Sequence, residues 1–245
     1  DVPPSRLSLS FESSRGCWWG RLHQCAFCGN DPSGVPYRQK SPAVILGELA
    51  DLAARHPGAR LHAVDSALPL PYLRTVIPRL PTECPGLRLF YEVKANLSLE
   101  AVVALRRAGV REIQAGVETL STPLLRRMHK GVTAPQNVAL LRFCRAEGVS
   151  VWWNLLCDLP GETLEEYEEM LALLPLLHHL APPMGVSPVS IDRSSRYQRE
   201  PDRFGVSGLQ PKRGYRDAFP AHADLGSMAY RFDASYRSAY REHPR

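Results

Sequence analysis

Arg15-Gly16-Cys17-Trp18-Trp19-Gly20-Arg21-Leu22-His23-Gln24-Cys25-Ala26-Phe27-Cys28-Gly29-Asn30 is the stretch from which the rest of the chain can be read. It follows Leu7-Ser8-Leu9-Ser10-Phe11-Glu12, whose alternation of apolar and polar residues is that of a half-buried strand. Cys17, Cys25 and Cys28 therefore sit in a loop at a strand's end. The thiolate is the ligand form of cysteine, and a Cys-x-x-Cys pair places two sulfurs on one metal or cluster. A structural zinc site normally finds a fourth ligand in a second Cys-x-x-Cys or a His pair, and the only close candidate here is His23. Three cysteines with no fourth leave one iron of an iron–sulfur cluster open to a ligand that is not protein. Zinc and a disulfide stand as alternatives, the disulfide requiring an oxidising compartment.

Outward from this loop, strands and helices alternate. Pro42 to Arg55 reads as a helix capped by Ser41, Arg60 to Asp65 as a strand, and a proline-punctuated helix follows to about Leu80. Leu87–Lys94 is a third strand, leading to a helix from Leu99 to Ala108 behind Ser98. Glu112–Glu118 is a fourth, followed by helices over Pro123–Lys130 and Pro135–Glu147. Val149–Leu156 is a fifth, followed by a helix over Glu162–His178 with its acidic residues early, where the helix dipole favours them. Val186–Ile191 is the sixth. Alternation of this kind implies parallel strands joined by right-handed crossovers. Six units are fewer than the eight of a closed barrel, so the expected form is α/β: an open (β/α)6 partial TIM barrel over residues 1–192. A C-terminal extension, 193–245, would cover its substrate side. Functional groups in such barrels lie at the C-terminal ends of strands. Asp65, Glu92, Lys94, Glu118 and Asn154 interrupt apolar runs at those points.

The 245 residues include 44% hydrophobic and 22% charged positions, an ordinary globular balance, with a net charge of +5. No apolar run is long enough to span a membrane and no signal-peptide pattern opens the chain. The remaining cysteines, Cys84, Cys144 and Cys157, are scattered rather than spaced as a disulfide framework, which points to a reducing, cytoplasmic setting. The basic surplus reads as a solvated surface, and neither a membrane nor a nucleic acid is expected as a partner. The chain enters a strand almost at once from Asp1, so the expectation is the catalytic part of a longer protein.

A three-cysteine loop after the first strand, closing in Cys-Ala-Phe-Cys, resembles the cluster loop of the radical S-adenosylmethionine (SAM) superfamily. The gap of seven residues between Cys17 and Cys25 departs from that superfamily's commonest gap of three. The resemblance implies a [4Fe–4S] cluster on Cys17, Cys25 and Cys28, with SAM chelating the open iron. It further implies Phe27 beside the adenine, Glu92 accepting from the SAM amino group, Glu118 and Asn154 on the ribose hydroxyls, and Lys130 on the SAM carboxylate. Lys94 shares the face of Glu92, and the small Gly116 would let the ligand approach the backbone. Cys157-Asp158 departs from the family, which more often has glycine near that point.

Arg-Gly-Cys-Trp-Trp-Gly and Tyr-Glu-Val-Lys-Ala-Asn are similar to a narrower group, the radical SAM proteins that mature ribosomally made peptides (RiPP and bacteriocin maturation). Many of that group are cobalamin-dependent C-methyltransferases. What this implies is reductive cleavage of SAM to a 5′-deoxyadenosyl radical, hydrogen abstraction from a precursor peptide, and C-methylation. A flavodoxin or ferredoxin would be the reductant, and cobalamin would be bound by a domain not in this chain. Two rivals are a radical SAM enzyme acting on RNA or a small metabolite, and a non-enzymatic zinc or Fe–S binding module.

Overall fold

The computed structural model describes residues 7–30 and 34–243. Five strands, β1 (Ser8–Phe11), β2 (Arg60–Ala63), β3 (Arg88–Lys94), β4 (Val110–Gly116) and β5 (Ser150–Trp152), form one parallel sheet in sequential order. β6 (Leu155–Cys157) and β7 (Val186–Pro188) pair in parallel beyond it. A bridge from Glu118 to Leu155 carries the ladder onward from the end of β4. The result is the open, partial TIM barrel.

The outer face of the sheet is apolar because it is roofed by helices. Leu61, Leu89, Tyr91, Val93, Ile113 and Val151 pack there against Ile45, Leu49, Val102, Leu105 and Leu140. Those partners come from α1 (Pro42–Arg55), α2 (Leu99–Arg107) and, beyond the short α3 (Thr122–Arg127), α4 (Ala134–Glu147). Ser41 accepts from the Val44 N–H and Pro42 occupies the first turn of α1. Gly148 ends α4 in the left-handed region, φ 65°, where glycine carries no Cβ penalty. α5 (Leu164–Leu177) begins two residues later than the acidic run suggests, because Thr163 and Glu166 form its capping box.

Two strands are shorter than the sequence pattern. The fifth breaks at Trp153-Asn154: the Trp153 indole is buried and donates to the Ala181 carbonyl at 2.9 Å, which turns the backbone before β6 resumes. The sixth ends at Pro188, which has no N–H for a ladder. Ile191–Asp192, assigned from the sequence to that strand and its end, forms β8 of a different sheet. This sheet is antiparallel, with β10 (Arg231–Ser235) between β8 and β9 (Ser207–Pro211). The region between Arg60 and Leu87 likewise holds short helices, Tyr72–Thr75 and Leu80–Glu83, instead of one continuous helix.

Residues 193–243 thus form regular structure packed on the barrel. Phe232, Tyr197, Val206 and Ala229 form a second core with Ala26 of the cysteine loop and with Leu124 and Met128 of the barrel. The extension is packed onto the loop that carries the thiols.

Candidate functional site

Cys17, Cys25, Glu92, Lys94, Gly116, Glu118, Lys130 and Asn154 all line one cavity at the C-terminal ends of β3 to β5. Phe27 and Cys28 are not on its wall. Phe27 lies behind it, with the Lys130 ammonium 5.7 Å from the ring centroid. Asp65, the remaining strand-end carboxylate, is fully buried and does something else. It accepts from the Ser13 N–H at 2.7 Å and from the hydroxyls of Ser13 and Ser14, fixing where the chain leaves β1 for the cysteine loop.

Glu118 holds the cavity's key geometry. Its φ is 59°, an uncommon backbone region for a side-chain-bearing residue and one that concentrates at functional sites. It makes no helix cap, since Ser121 itself caps α3 by accepting from Leu124. Its carboxylate accepts from Lys130 Nζ at 2.7 Å. A methyl group on Gly116 would stand 2.6 Å from the same Nζ, so the bare Cα is what admits the pair. Burial opposes the charge on Lys130, but the Glu118 carboxylate beside it outweighs burial and holds the ammonium above the ordinary lysine range.

Lys94 does not pair with Glu92. Its ammonium lies 3.8 Å from the Trp19 ring centroid and donates to the Lys130 carbonyl. Burial, helped by the charge of Lys130, pulls it down to about 8. Glu92 is pushed up, by burial first and then by the nearby Glu118 carboxylate. The cavity therefore presents acceptors (Glu92, Glu118), donors (Lys94, Lys130), an amide (Asn154) and two thiols to the same space.

The thiols are held by contacts that local sequence does not announce. Trp18 donates to the Leu68 carbonyl at 3.2 Å and Trp19 to the His129 carbonyl at 3.1 Å, so both tryptophans are anchors for the loop. Gly131 is glycine of necessity, because a Cβ there would stand 2.1 Å from the Trp19 ring. His23 is exposed and stacks on Trp19 with ring centroids 4.4 Å apart. Gln24 is buried and donates to the carbonyls of Cys28, Asn30 and Ser194, at 3.0, 3.2 and 2.9 Å. Asn137, fully buried on α4, donates to the carbonyls of Val117 and Thr119, each at 2.8 Å, and so clamps the backbone on both sides of Glu118. Neither amide stands in a motif. A polar residue on the apolar side of a helix, as in Leu140-Leu141 preceded by Asn137, is the one signal that could have found the second.

Three thiols suit an iron–sulfur cluster as a donor set, and all six cysteines are free. The Gly20 N–H points to Cys17 Sγ at 3.4 Å and the Asn30 N–H to Cys28 Sγ at 3.5 Å, the kind of bond that tunes cluster sulfurs. Among the described residues no trio of His, Cys, Asp or Glu is gathered for a single metal ion. Burial raises the Cys25 thiol and pushes Cys28 up to about 11, an order that a bound metal reverses by deprotonating its thiols outright.

Residues 11–174 match the Radical SAM superfamily. The chain belongs to that superfamily. An uncharacterised methyltransferase of Pyrococcus horikoshii is 22% identical over 160 residues, covering 64% of this chain and 34% of its own. Among solved structures, the radical SAM methyltransferase TsrM from Kitasatospora setae superposes with a TM-score of 0.69 at 21% identity, over 97% of this chain and 49% of that one. The cobalamin-dependent SAM radical enzyme OxsB does so with a TM-score of 0.66 at 18% identity, over 94% and 39%. These likenesses extend the superfamily's fold across nearly the whole chain, extension included, while the chain spans half or less of each relative's length. No helix among the described residues is long and apolar enough to cross a membrane.

Proposed function

We propose that this barrel binds a [4Fe–4S] cluster on Cys17, Cys25 and Cys28 and holds SAM in the adjoining cavity. The reaction proposed is a radical methylation. The observation that carries the reading is the Glu118–Lys130 pair, set at 2.7 Å on one wall of the cavity with Cys17 and Cys25 on another. When bound, the cluster supplies the electron that cleaves the sulfonium of SAM. The chain's own residues bind and orient. Lys130 would take the carboxylate of SAM, Glu92 would accept from its amino group, and Glu118 and Asn154 would accept from or bond its ribose hydroxyls, with Gly116 giving room at the backbone. Phe27, behind Lys130, closes the adenine side. Trp19 and Lys94 tie the thiol loop to the same wall.

Methylation is supported by the methyltransferase relatives, and cobalamin would come from a domain not in this chain. A ribosomally made precursor peptide is the proposed substrate, supported by the resemblance of Arg-Gly-Cys-Trp-Trp-Gly to the peptide-maturing group. Within that motif Trp18 and Trp19 also anchor the loop. A second reading, a small aromatic metabolite, is favoured by the tryptophan substrate bound in the TsrM structure. A low-potential flavodoxin or ferredoxin is the proposed reductant. The test is anaerobic reconstitution with iron and sulfide, reduction with SAM present, and assay of 5′-deoxyadenosine. Product that vanishes in Cys25→Ala and Cys28→Ala supports the reading. Zinc at one per chain with no iron uptake would overturn it.

A further inference from the structure

The inward face of the sheet does more than hold the cavity. Residues two apart on a strand share a face, and register sets Glu92 beside Gln114 and Gln114 beside Trp152. Glu92 and Gln114 line the cavity, so Trp152 stands in the same row, next to its wall. One pleat below Glu92, about 6.6 Å along the strand, is Phe90. Its ring centroid lies 5.5 Å from that of Trp152 and 4.1 Å from that of His62. The three rings make a continuous aromatic tier inside the barrel that spans two rows, His62 and Phe90 in one and Trp152 in the next.

Barrel interiors are ordinarily filled with packed side chains, and beneath these rings an ion pair does so. There the Arg60 guanidinium lies 5.5 and 5.6 Å from the Phe90 and Trp152 centroids and pairs with Glu112 at 2.6 Å. Phe90 is covered, but Trp152 remains 37% exposed. Gln114, beside Trp152 in the same row, is exposed. Burial and the Arg60 charge hold His62 below its ordinary value, as a neutral ring at neutral pH. A half-exposed indole, an exposed amide beside it and a satisfied ion pair below together describe half of a binding site for a planar group. An aromatic ring meets such a wall edge-to-face or offset-stacked.

We propose that this tier is the substrate subsite, and that the substrate presents an aromatic ring which packs against Trp152 and His62 while Gln114 bonds its polar edge. The inference rests on the adjoining cavity being the SAM site. Two sources share that chemistry, a free aromatic amino acid and an aromatic residue within a peptide. The probes are therefore 5-fluoro-L-tryptophan and N-acetyl-5-fluoro-L-tryptophanamide, followed by fluorine NMR on the reconstituted protein saturated with SAM, with SAM binding measured separately by equilibrium dialysis. Line broadening is expected for the source the enzyme uses. The dissociation constant should rise about tenfold in Trp152→Ala, while Trp152→Phe, which keeps a ring, binds nearly as the wild type. SAM affinity should be unchanged in both variants. If SAM binds but neither probe does, or if Trp152→Ala binds them as well as the wild type, the subsite is overturned and the SAM reading stands. Failure of the wild type to bind SAM would overturn the reading beneath, and this inference with it.

Discussion

Cys17 and Cys25 reach the cavity from a loop with almost no regular structure, whereas Glu118 reaches it from the end of a strand whose register is set by neighbours on both sides. The loop is fixed by side chains that donate to backbone carbonyls far away in sequence: Trp18 to Leu68, Trp19 to His129, Gln24 to Ser194. The strand end is fixed by hydrogen bonding of its own backbone, with one amide, Asn137, bracing the turn. A loop with no ladder must borrow its rigidity, and each borrowed bond is a place where the site can be loosened without touching a ligand. A strand end inherits its position, and is damaged mainly by a change in volume.

Substitutions can separate the two kinds of support. The largest effect is expected for Gly131→Ala, which forces a methyl into the Trp19 ring at a φ of +66°. It should cost about 3 kcal/mol in denaturant unfolding and lower the iron content after reconstitution. Gln24→Ala leaves three partly buried carbonyls without donors, at about 2 kcal/mol, and should also lower iron content. A variant that retained full iron would show that the loop is held by its tryptophans alone. Asn137→Ala is expected to cost about 1 kcal/mol but to weaken SAM binding about tenfold with iron content unchanged, since it relaxes Glu118 and not the loop. Gly116→Ala should weaken SAM binding with iron content unchanged, because the added methyl displaces Lys130. If Asn137→Ala and Gly116→Ala lost iron and Gln24→Ala did not, the division between loop and strand end would be wrong.

The smallest effect is in pH. Glu92 is held above its ordinary value by burial and by Glu118. A group with a raised folded-state value binds its proton more tightly in the native state, so this contribution to stability is present at low pH and is lost as pH rises through the raised value. In the proposed role the ionised carboxylate accepts from the SAM amino group, so affinity should fall on acidification before the ordinary glutamate range is reached. Glu92→Gln should bind more weakly and lose this dependence.

Much of this site could be read from the chain because it sits where rules act locally. Apolar runs interrupted by Glu92, Lys94, Glu118 and Asn154 mark strand ends, and parallel alternation brings strand ends together at one mouth. Cys-x-x-Cys states its own chemistry. Gln24 and Asn137 are hidden because their partners are backbone carbonyls, which carry no residue identity, and include Ser194, Val117 and Thr119 at separations no local motif spans. Asp65 obeyed the positional rule yet serves the fold, since a strand end next to a loop's departure needs a buried acceptor as much as a cavity does. The breaks at Trp153 and Pro188 were missed for one reason. Alternation reports burial, and a buried indole or a proline satisfies that pattern while ending the ladder.

The central claim is that the thiol loop and the Glu118–Lys130 wall form one site for a cluster with SAM on its open iron. The most direct measurement is the electron paramagnetic resonance spectrum of the reduced, reconstituted protein with and without SAM, for the wild type and for Glu118→Ala/Lys130→Met. The expected result is a shifted signal when SAM is added to the wild type and no shift in the double variant, whose cluster remains intact. A wild-type spectrum indifferent to saturating SAM, from a protein carrying a full cluster, would contradict the account.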